Sequence, residues 1–429
     1  MTHKASVITL TIILTGFFVA AGAAEALEPI VELGDELFED EDLSINRNQS
    51  CVACHDPEFG KTGGIPAINA AGAVYEGSIP GRFGDRKPPS AAYATLSPIF
   101  HFSTQGGGQW VGGNFWDGRA TGEKLGNPAA DQAQGPFLNP VEQGLPDAAC
   151  VVYRVSMSDY AALYEEVWGG DIFTIEFPPD TDALCGLEGI TIPLDSEDRA
   201  KVEAEYDNIA LSIAAYEDSS EVNPFSSKFD ASQGGKAKLT QQERRGFALF
   251  QGKGRCARCH SSSGRQAAFT DFTYDNLGVP PNPENPALLA DPLFRDPGLG
   301  GFLESAGEPP ELYEPELGKM KVPTLRNVAK RPTPDAVKAY THNGYFKTLE
   351  GVVNFYNTRD VKPECPGLFT EAEALAAGCW PAPEIPENVN TDELGDLGLT
   401  AAEEDAIVVF LNAISDGFVS SANDGEDGD

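Results

Sequence analysis

Apolar residues recur at helical spacing in several separate segments of the chain. Leu33, Leu37 and Phe38 predict a helix within residues 28–49, and a longer apolar stripe predicts a second helix over residues 196–217. The same spacing predicts further helices over residues 158–168, 347–357 and 400–414. Alternation of apolar and polar positions, which is typical of a strand, is almost absent. The pattern therefore predicts a mainly α fold.

Long segments rich in Gly and Pro separate these helices and show little periodicity. They cover residues 60–118, 135–145 and 278–315, and they predict irregular loops. A compact domain with so much irregular chain needs a large group to pack against, such as a cofactor. A polar stretch with two adjacent glycines, residues 219–238, is the predicted linker between two domains.

One short motif occurs twice together with its lead-in helix. Residues 34–38 and 246–250 share the pattern Gly-x-x-Leu-Phe, and each run precedes a Cys-x-x-Cys-His sequence. Thr240 and Glu243 form a capping box at the start of the second lead-in helix. This repeat predicts two domains of the same kind.

The Cys-x-x-Cys-His sequence is typical of covalent attachment of a c-type haem. The two thiols add across the haem vinyl groups, and the adjacent histidine becomes an axial ligand of the iron. The residues predicted to hold two haem groups are Cys51, Cys54, His55, Cys256, Cys259 and His260. A disulfide or a zinc site is the alternative for Cys-x-x-Cys pairs. A zinc site would have to join two pairs far apart in the sequence and would leave both histidines unexplained.

The four remaining cysteines predict disulfides. They are Cys150, Cys185, Cys365 and Cys379, and four cysteines allow three pairings. Proximity in the sequence favours Cys150–Cys185 and Cys365–Cys379. Such bridges are typical of oxidising compartments.

The N-terminus predicts export. Lys4 is followed by the apolar residues 5–20 and by Ala-Gly-Ala at 21–23, which resembles a signal-peptidase site. The apolar run is short for a membrane span. We therefore expect a cleaved signal peptide over residues 1–23, a location in the periplasm and no integral membrane segment in the mature protein.

The net charge of the chain limits the classes of partner that it can bind. Its 66 acidic and 30 basic residues give a net charge of −36, which argues against binding to nucleic acid or to anionic membranes. We expect an N-terminal haem domain over residues 24–222, a C-terminal haem domain over residues 223–422 and a disordered acidic tail over residues 423–429. The predicted fold is mainly α, with two cytochrome c-like haem domains and long irregular loops.

Beyond the two haem motifs, four further stretches resemble the bacterial dihaem cytochrome c peroxidase and MauG family. They are Phe-Trp-Asp-Gly-Arg-Ala at 115–120, Gly-Pro-Phe-Leu-Asn-Pro-Val-Glu at 135–142, Val-Pro-Thr-Leu-Arg-Asn at 322–327 and His-Asn-Gly at 342–344. The resemblance covers nearly all of the mature chain. It implies an enzyme that reduces hydrogen peroxide with electrons from an external donor, a small cytochrome c or a cupredoxin.

The resemblance implies that the first haem, with His55 below it, is the peroxidatic site. Gln132, Pro136 and Glu142 reproduce the family's spacing of four and then six residues on the distal face. A carboxylate above an open iron position can move the proton that peroxide cleavage requires. His101 is displaced from the family's distal histidine, which implies a five-coordinate, high-spin first haem that needs no reductive activation.

The second haem, with His260 below it, distinguishes the subfamilies. Tyr356 lies where dihaem peroxidases have a methionine ligand, and a tyrosine there is the MauG-like arrangement. Met320 is the competing ligand. Trp116 matches the tryptophan that lies between the two haems, whereas Gly254 replaces the tryptophan through which MauG oxidises its protein substrate.

Three functions therefore remain open. The first is the peroxidase, the second is a MauG-like enzyme that oxidises a side chain of a partner protein, and the third is a dihaem electron carrier without catalysis. The resemblance also implies calcium between the domains. The chain matches that site only in part, since it has Arg86-Lys87 in place of Arg-Asn and Pro-Thr-Pro at 332–334 followed by additional residues.

Overall fold

The computed structural model describes residues 27–104 and 108–419. The predicted signal peptide and the acidic tail lie outside the described residues. The helices are α1 Pro29–Glu39, α2 Pro66–Ala70, α3 Pro128–Leu138, α4 Ala148–Ser156, α5 Ala161–Trp168, α6 Thr181–Leu184, α7 Ser196–Glu217, α8 Lys228–Gln233, α9 Gln241–Gln251, α10 Pro286–Ala290, α11 Gly298–Ser305, α12 Pro310–Tyr313, α13 Leu349–Thr358, α14 Glu371–Ala377 and α15 Ala401–Asn412.

Strands are few and short, which confirms the mainly α prediction. β1 His101–Ser103 pairs with β2 Gln109–Val111, and β3 Tyr274–Asp275 pairs with β4 Met320–Lys321, both in antiparallel register. Within the described part of the chain, none of the helices is both long and apolar enough to cross a membrane.

The two halves of the chain are built on the same helix crossing. In the first half α1 packs on α7, and in the second half α9 packs on α15. A Cβ atom on Gly34 of α1 would lie 2.1 Å from the Ser212 carbonyl oxygen, and one on Gly246 of α9 would lie 1.9 Å from that of Ala406. Both crossings therefore require glycine, because any side chain would overlap the backbone of the partner helix. This is why glycine opens the repeated Gly-x-x-Leu-Phe pattern.

Because the two crossings are equivalent, positions on α7 can be matched with positions on α15. The Cβ positions of Gly34 and Gly246 lie 2.7 and 2.8 Å from the side chains of Tyr216 and Phe410, respectively. One cluster of buried apolar residues runs from Leu33 to Val222, and another runs from Phe229 to Ile414. The proposed domain boundary between residues 222 and 223 falls between these clusters and stays a prediction.

Most of the predicted helices are present. The helix predicted over residues 196–217 has those bounds, with the Asp195 side chain capping its first turn. The predicted capping boxes begin α9 and α15. The first helix is shorter than predicted because it ends at Glu39, where Asp40 starts a 3-10 turn by accepting from the backbone N–H of Asp42. Both favoured disulfides, Cys150–Cys185 and Cys365–Cys379, are confirmed.

The predicted loop over residues 135–145 is wrong for its first four residues. Gly135 and Pro136 lie inside α3, which continues to Leu138. Proline cannot donate the helical hydrogen bond to the Gln132 carbonyl oxygen, and the helix ends two residues later, at Leu138. The polar linker predicted over residues 219–238 contains α8, which begins with a capping box between Ser227 and Asp230.

Candidate functional site

The first Cys-x-x-Cys-His motif lines a large cavity in the N-terminal half. Cys51 and Cys54 are half-buried, and neither forms a disulfide. The His55 Nδ1 atom lies 3.0 Å from the Lys61 carbonyl oxygen, which can only accept a hydrogen bond, so Nδ1 carries the proton. Burial lowers the pKa of His55 to about 4. The ring is therefore neutral, and its Nε2 lone pair remains available to a metal.

The second motif repeats this arrangement in the C-terminal half. Cys256 and Cys259 are half-buried thiols outside any disulfide. The His260 Nδ1 atom lies 2.9 Å from the Phe269 carbonyl oxygen, and burial lowers the pKa of His260. The second imidazole is thus held in the same tautomer as the first.

These residues fit a haem in each cavity. Each cavity brings two unbridged thiols and a neutral imidazole together within a mainly apolar lining, which is the donor set that covalent attachment of a haem requires. The two thiol pairs lie in separate cavities, and no group of potential metal ligands within residues 27–104 and 108–419 combines them, which argues against a shared zinc ion.

The predicted distal residues all line the first cavity together with His55. Gln132 and Pro136 are one helical turn apart on α3 and so share a face. The chain then turns back, with the Glu142 N–H donating to the Asn139 carbonyl oxygen at 2.9 Å. The spacing of four and then six residues thus consists of one helical turn followed by a reversal. Burial raises the pKa of Glu142, and the charge of Arg119 partly opposes this rise.

The second cavity differs from the first in its other lining residues. Tyr356 on α13 lines it together with His260. Among the described residues, no group forms a hydrogen bond with the Tyr356 hydroxyl, and burial raises the pKa of this phenol. Met320 also lines the cavity, with its methyl group against Gly298. Both predicted candidates for the sixth iron ligand are therefore in the correct cavity.

One side chain and one strand separate the two cavities. Trp116, together with the segment 321–323, lines both of them. The Trp116 ring is 7% exposed, and its Nε1 donates to the Lys87 carbonyl oxygen at 2.8 Å. The ring also packs edge-on against His342, at 6.4 Å between centroids. Trp116 therefore lies in the wall between the two motifs, as the resemblance implied.

Two further predicted features concern His101 and the calcium position. His101 is exposed on β1, where its Nδ1 lies 2.8 Å from the Ile99 carbonyl oxygen. At the predicted calcium position, the Lys87 ammonium donates to Thr62 Oγ1 at 2.8 Å and to the Pro88 carbonyl oxygen at 2.9 Å, and Thr333 is exposed. A lysine nitrogen in place of an oxygen ligand does not fit a calcium ion.

The cavities are also lined by charged residues that were not predicted as site residues, among them Glu217, Lys87 and Lys321. Glu217 at the end of α7 lines the first cavity, and burial raises its pKa to about 8. Lys87 lines the same cavity, and Lys321 lines both. A signal for Glu217 was present, because an acid follows Ile213 by four residues on the buried stripe of its helix. Lys87 was noted only as a departure from the calcium site, and nothing in the sequence marked either lysine as a residue of a haem cavity.

Comparison with known proteins identifies the family. A family model described as "Di-haem cytochrome c peroxidase" matches residues 28–238. The methylamine utilization protein MauG of Paracoccus denitrificans is 34% identical over 409 residues, which cover 92% of each chain. The chain belongs to the dihaem cytochrome c peroxidase and MauG family. Membership gives it two haem groups and makes it an oxidoreductase of the dihaem peroxidase type.

Other relatives carry peroxidase names. The cytochrome-c peroxidase IdrP1 of Denitromonas iodatirespirans is 27% identical over 90% of this chain and 81% of its own. The crystal structure of the diheme peroxidase BthA from Burkholderia thailandensis matches with a TM-score of 0.69 and 28% identity, over 94% of this chain and 93% of that one. The family and the mainly helical fold are thus confirmed, whereas the roles of individual site residues stay predictions.

Proposed function

We propose that this protein is a periplasmic dihaem peroxidase that reduces hydrogen peroxide at the first cavity with electrons from an external redox protein. The observation that carries the proposal is the arrangement of Glu142 and Gln132 in the cavity of His55. The second cavity is lined by acids as well, among them Asp275 and Glu384, but the polar side chain that α13 contributes to it is the phenol of Tyr356. Two disulfides in the structure support an oxidising compartment.

The side chains of the first cavity handle the protons of the reaction. When bound, the haem supplies an iron that accepts peroxide and exchanges electrons. The Glu142 carboxylate takes a proton from one peroxide oxygen and returns it to the other, which then leaves as water. The Gln132 amide orients the peroxide, and the rigid ring of Pro136 limits access to the iron. With two electrons and two further protons, each peroxide yields two molecules of water.

The second cavity stores and transmits electrons in this proposal. Tyr356 would ligate the second iron, because its hydroxyl lacks a protein partner among the described residues and shares the cavity with His260. A phenolate ligand favours the oxidised states of iron. Trp116 lies in the wall between the two cavities and gives electrons a short path to the first.

The MauG-like reaction is the second candidate, because Tyr356 and the 34% identity to MauG both favour it. The surroundings of Gly254 oppose it. A Cβ atom there would lie 2.9 Å from the Leu249 carbonyl oxygen and 3.1 Å from Ile407, which leaves no room for the tryptophan found in MauG. To oxidise a partner protein, this enzyme would need a different route for electrons between the second haem and the protein surface. The third candidate, the simple electron carrier, does not account for the buried acid of the first cavity.

Replacement of Glu142 tests the proposal. In the holoprotein we expect E142Q to lower peroxide turnover by about 10²–10⁴-fold, the usual contribution of a general acid or base, with an almost unchanged optical spectrum. E217Q is the matched control, since it makes the same change in the same cavity, and it should retain turnover. Wild-type turnover in E142Q would remove Glu142 from the mechanism. A wild-type protein indifferent to peroxide would support the electron carrier.

A further inference from the structure

Lys321 lies in the wall that the two haem cavities share. It belongs to β4, and its backbone N–H donates to the Trp116 carbonyl oxygen at 2.8 Å, which fixes the strand beside the tryptophan. It is the only charged residue within residues 27–104 and 108–419 that lines both cavities. Its side chain extends from the second half of the chain into the first.

The hydrogen bonds of Lys321 identify its protonation state. Its Nζ atom donates to Ser97 Oγ at 2.7 Å, to Asn114 Oδ1 at 2.8 Å and to the Gly113 carbonyl oxygen. The Ser97 hydroxyl uses its own proton to donate to the Gly113 carbonyl, so Ser97 Oγ accepts from the lysine. The Asn114 amide nitrogen donates to the Ala94 carbonyl oxygen, which orients its Oδ1 toward Nζ. All three partners are acceptors, and together they require the three protons of an ammonium.

This ammonium has no carboxylate partner. Among the described residues, no Asp or Glu side chain forms an ion pair with Lys321, whereas Arg86 pairs with Asp117 and Asp296. Burial opposes the charge and lowers the pKa of Lys321 to about 7. Three neutral oxygens hold the ammonium in place without neutralising it. Its field therefore extends into both cavities through a medium of low dielectric constant.

We propose that Lys321 is a positive charge shared by the two haem sites, and that it raises the reduction potentials of both haem groups together. Reduction removes one positive charge from an iron, so a nearby cation favours the reduced form. One residue thus makes both sites easier to reduce by an external donor. The inference depends on the two haem groups of the family and not on the proposed reaction with peroxide.

The chain offers matched lysines for a test. Lys87 has a comparable environment, with its Nζ held by Thr62 and Pro88 and its pKa lowered by burial to about 7, but it lines the first cavity only. Lys338 is also buried, donates to the carbonyl oxygens of Phe59 and Asn327 at 2.7 Å, and lines neither cavity. The three lysines therefore predict three different outcomes for the same substitution.

The experiment is a spectroelectrochemical titration of the holoprotein and its Lys→Met variants. In K321M we expect the midpoint potentials of both haems to fall, in K87M only that of the first haem, and in K338M neither. K321Q keeps two donors for the same oxygens and should lower both potentials if K321M does not fold, whereas K321R keeps the charge and should restore both. A K321M or K321Q protein in which one potential or neither falls would overturn the proposal. These potentials are measured without peroxide, so the proposed function can fail while this inference stands.

Discussion

The two halves of this protein position their haem motifs in the same way, but they line the surrounding cavities with different functional groups. In each half a glycine of the lead-in helix packs against the backbone of a second helix, and in each half a backbone carbonyl fixes the imidazole tautomer. Among its other lining residues the first cavity has an amide, a proline ring and a buried acid, whereas the second has the phenol of Tyr356.

This difference shows which part of each repeated haem domain is common to both halves and which part differs. The predicted attachment of the haem depends on local geometry, which both halves retain. The proposed reactivity depends on side chains contributed by segments outside the repeat, namely α3 with its reversal in the first half and α13 in the second. The repeat therefore predicts two haem groups, and only the segments outside it predict that one site is open and the other closed.

The largest expected effect comes from opening the second site. Removal of the Tyr356 hydroxyl leaves the second iron without its proposed sixth ligand, so Y356F should resemble the first site in accepting small anions. We expect the oxidised holoprotein to bind one cyanide per chain and Y356F to bind two, measured by optical titration. In Y356F both sites would then be open to small ligands, and the difference between them would be lost.

Tyr340 provides the control for this experiment. It lines the same cavity, and its hydroxyl is buried without a hydrogen-bond partner among the described residues. Y340F should therefore leave the stoichiometry at one. A stoichiometry of one in Y356F as well would assign the sixth ligand to another residue, and Met320 would then be the first candidate.

The next effect concerns equivalent positions on the two long helices. Since Ser212 and Tyr216 of α7 correspond to Ala406 and Phe410 of α15, Glu217 corresponds to Leu411. Both residues line their cavities, but Glu217 is an acid whose Oε2 is buried without a hydrogen-bond partner in the described structure. Burial raises the pKa of Glu217 to about 8, so the native state keeps a proton that the unfolded state has lost by neutral pH.

This difference predicts a pH-dependent stability. Between the unfolded pKa near 4.5 and the folded pKa near 8, the native state binds more protons than the unfolded state, so rising pH destabilises the wild type. E217Q is neutral in both states and should melt at the same temperature as the wild type at pH 4.5. At pH 8 it should melt several degrees higher, because each kcal/mol shifts the midpoint by about 2–4 °C in a domain of this size. An equal difference at both pH values would mean that Glu217 is ionised in the folded protein.

The features of the two sites differ in how well the sequence alone predicted them. The two haem motifs carry their chemistry in five consecutive residues, and the capping boxes of α9 and α15 are equally local, so both were predicted. Gln132, Pro136 and Glu142 followed from the resemblance, although the helix that contains Pro136 did not. A proline near a helix end has little local signal that separates it from a loop.

Lys321 could not have been predicted from the sequence. Its three acceptors come from Ser97, Gly113 and Asn114, more than two hundred residues earlier in the chain. A lysine beside an apolar segment is ordinarily a solvated surface residue. Lys321 is shared by the two cavities only because the two halves of the chain pack together in the folded protein. No pattern in the residues around Lys321 predicts this packing.

The smallest expected effect compares the two disulfides. Cys150–Cys185 closes a separation of 35 residues, and Cys365–Cys379 closes one of 14. In the loop-entropy account, the stabilisation grows as 1.5RT ln n, so the longer loop should contribute about 0.8 kcal/mol more. We expect the Cys→Ala pair at 150 and 185 to lower the free energy of unfolding more than the pair at 365 and 379, measured by urea denaturation under identical conditions. All four sulfurs are buried, so the loss of packing is similar in the two variants. A larger loss from the shorter loop would show that native contacts around α14, and not the entropy of the unfolded chain, determine what these bridges contribute.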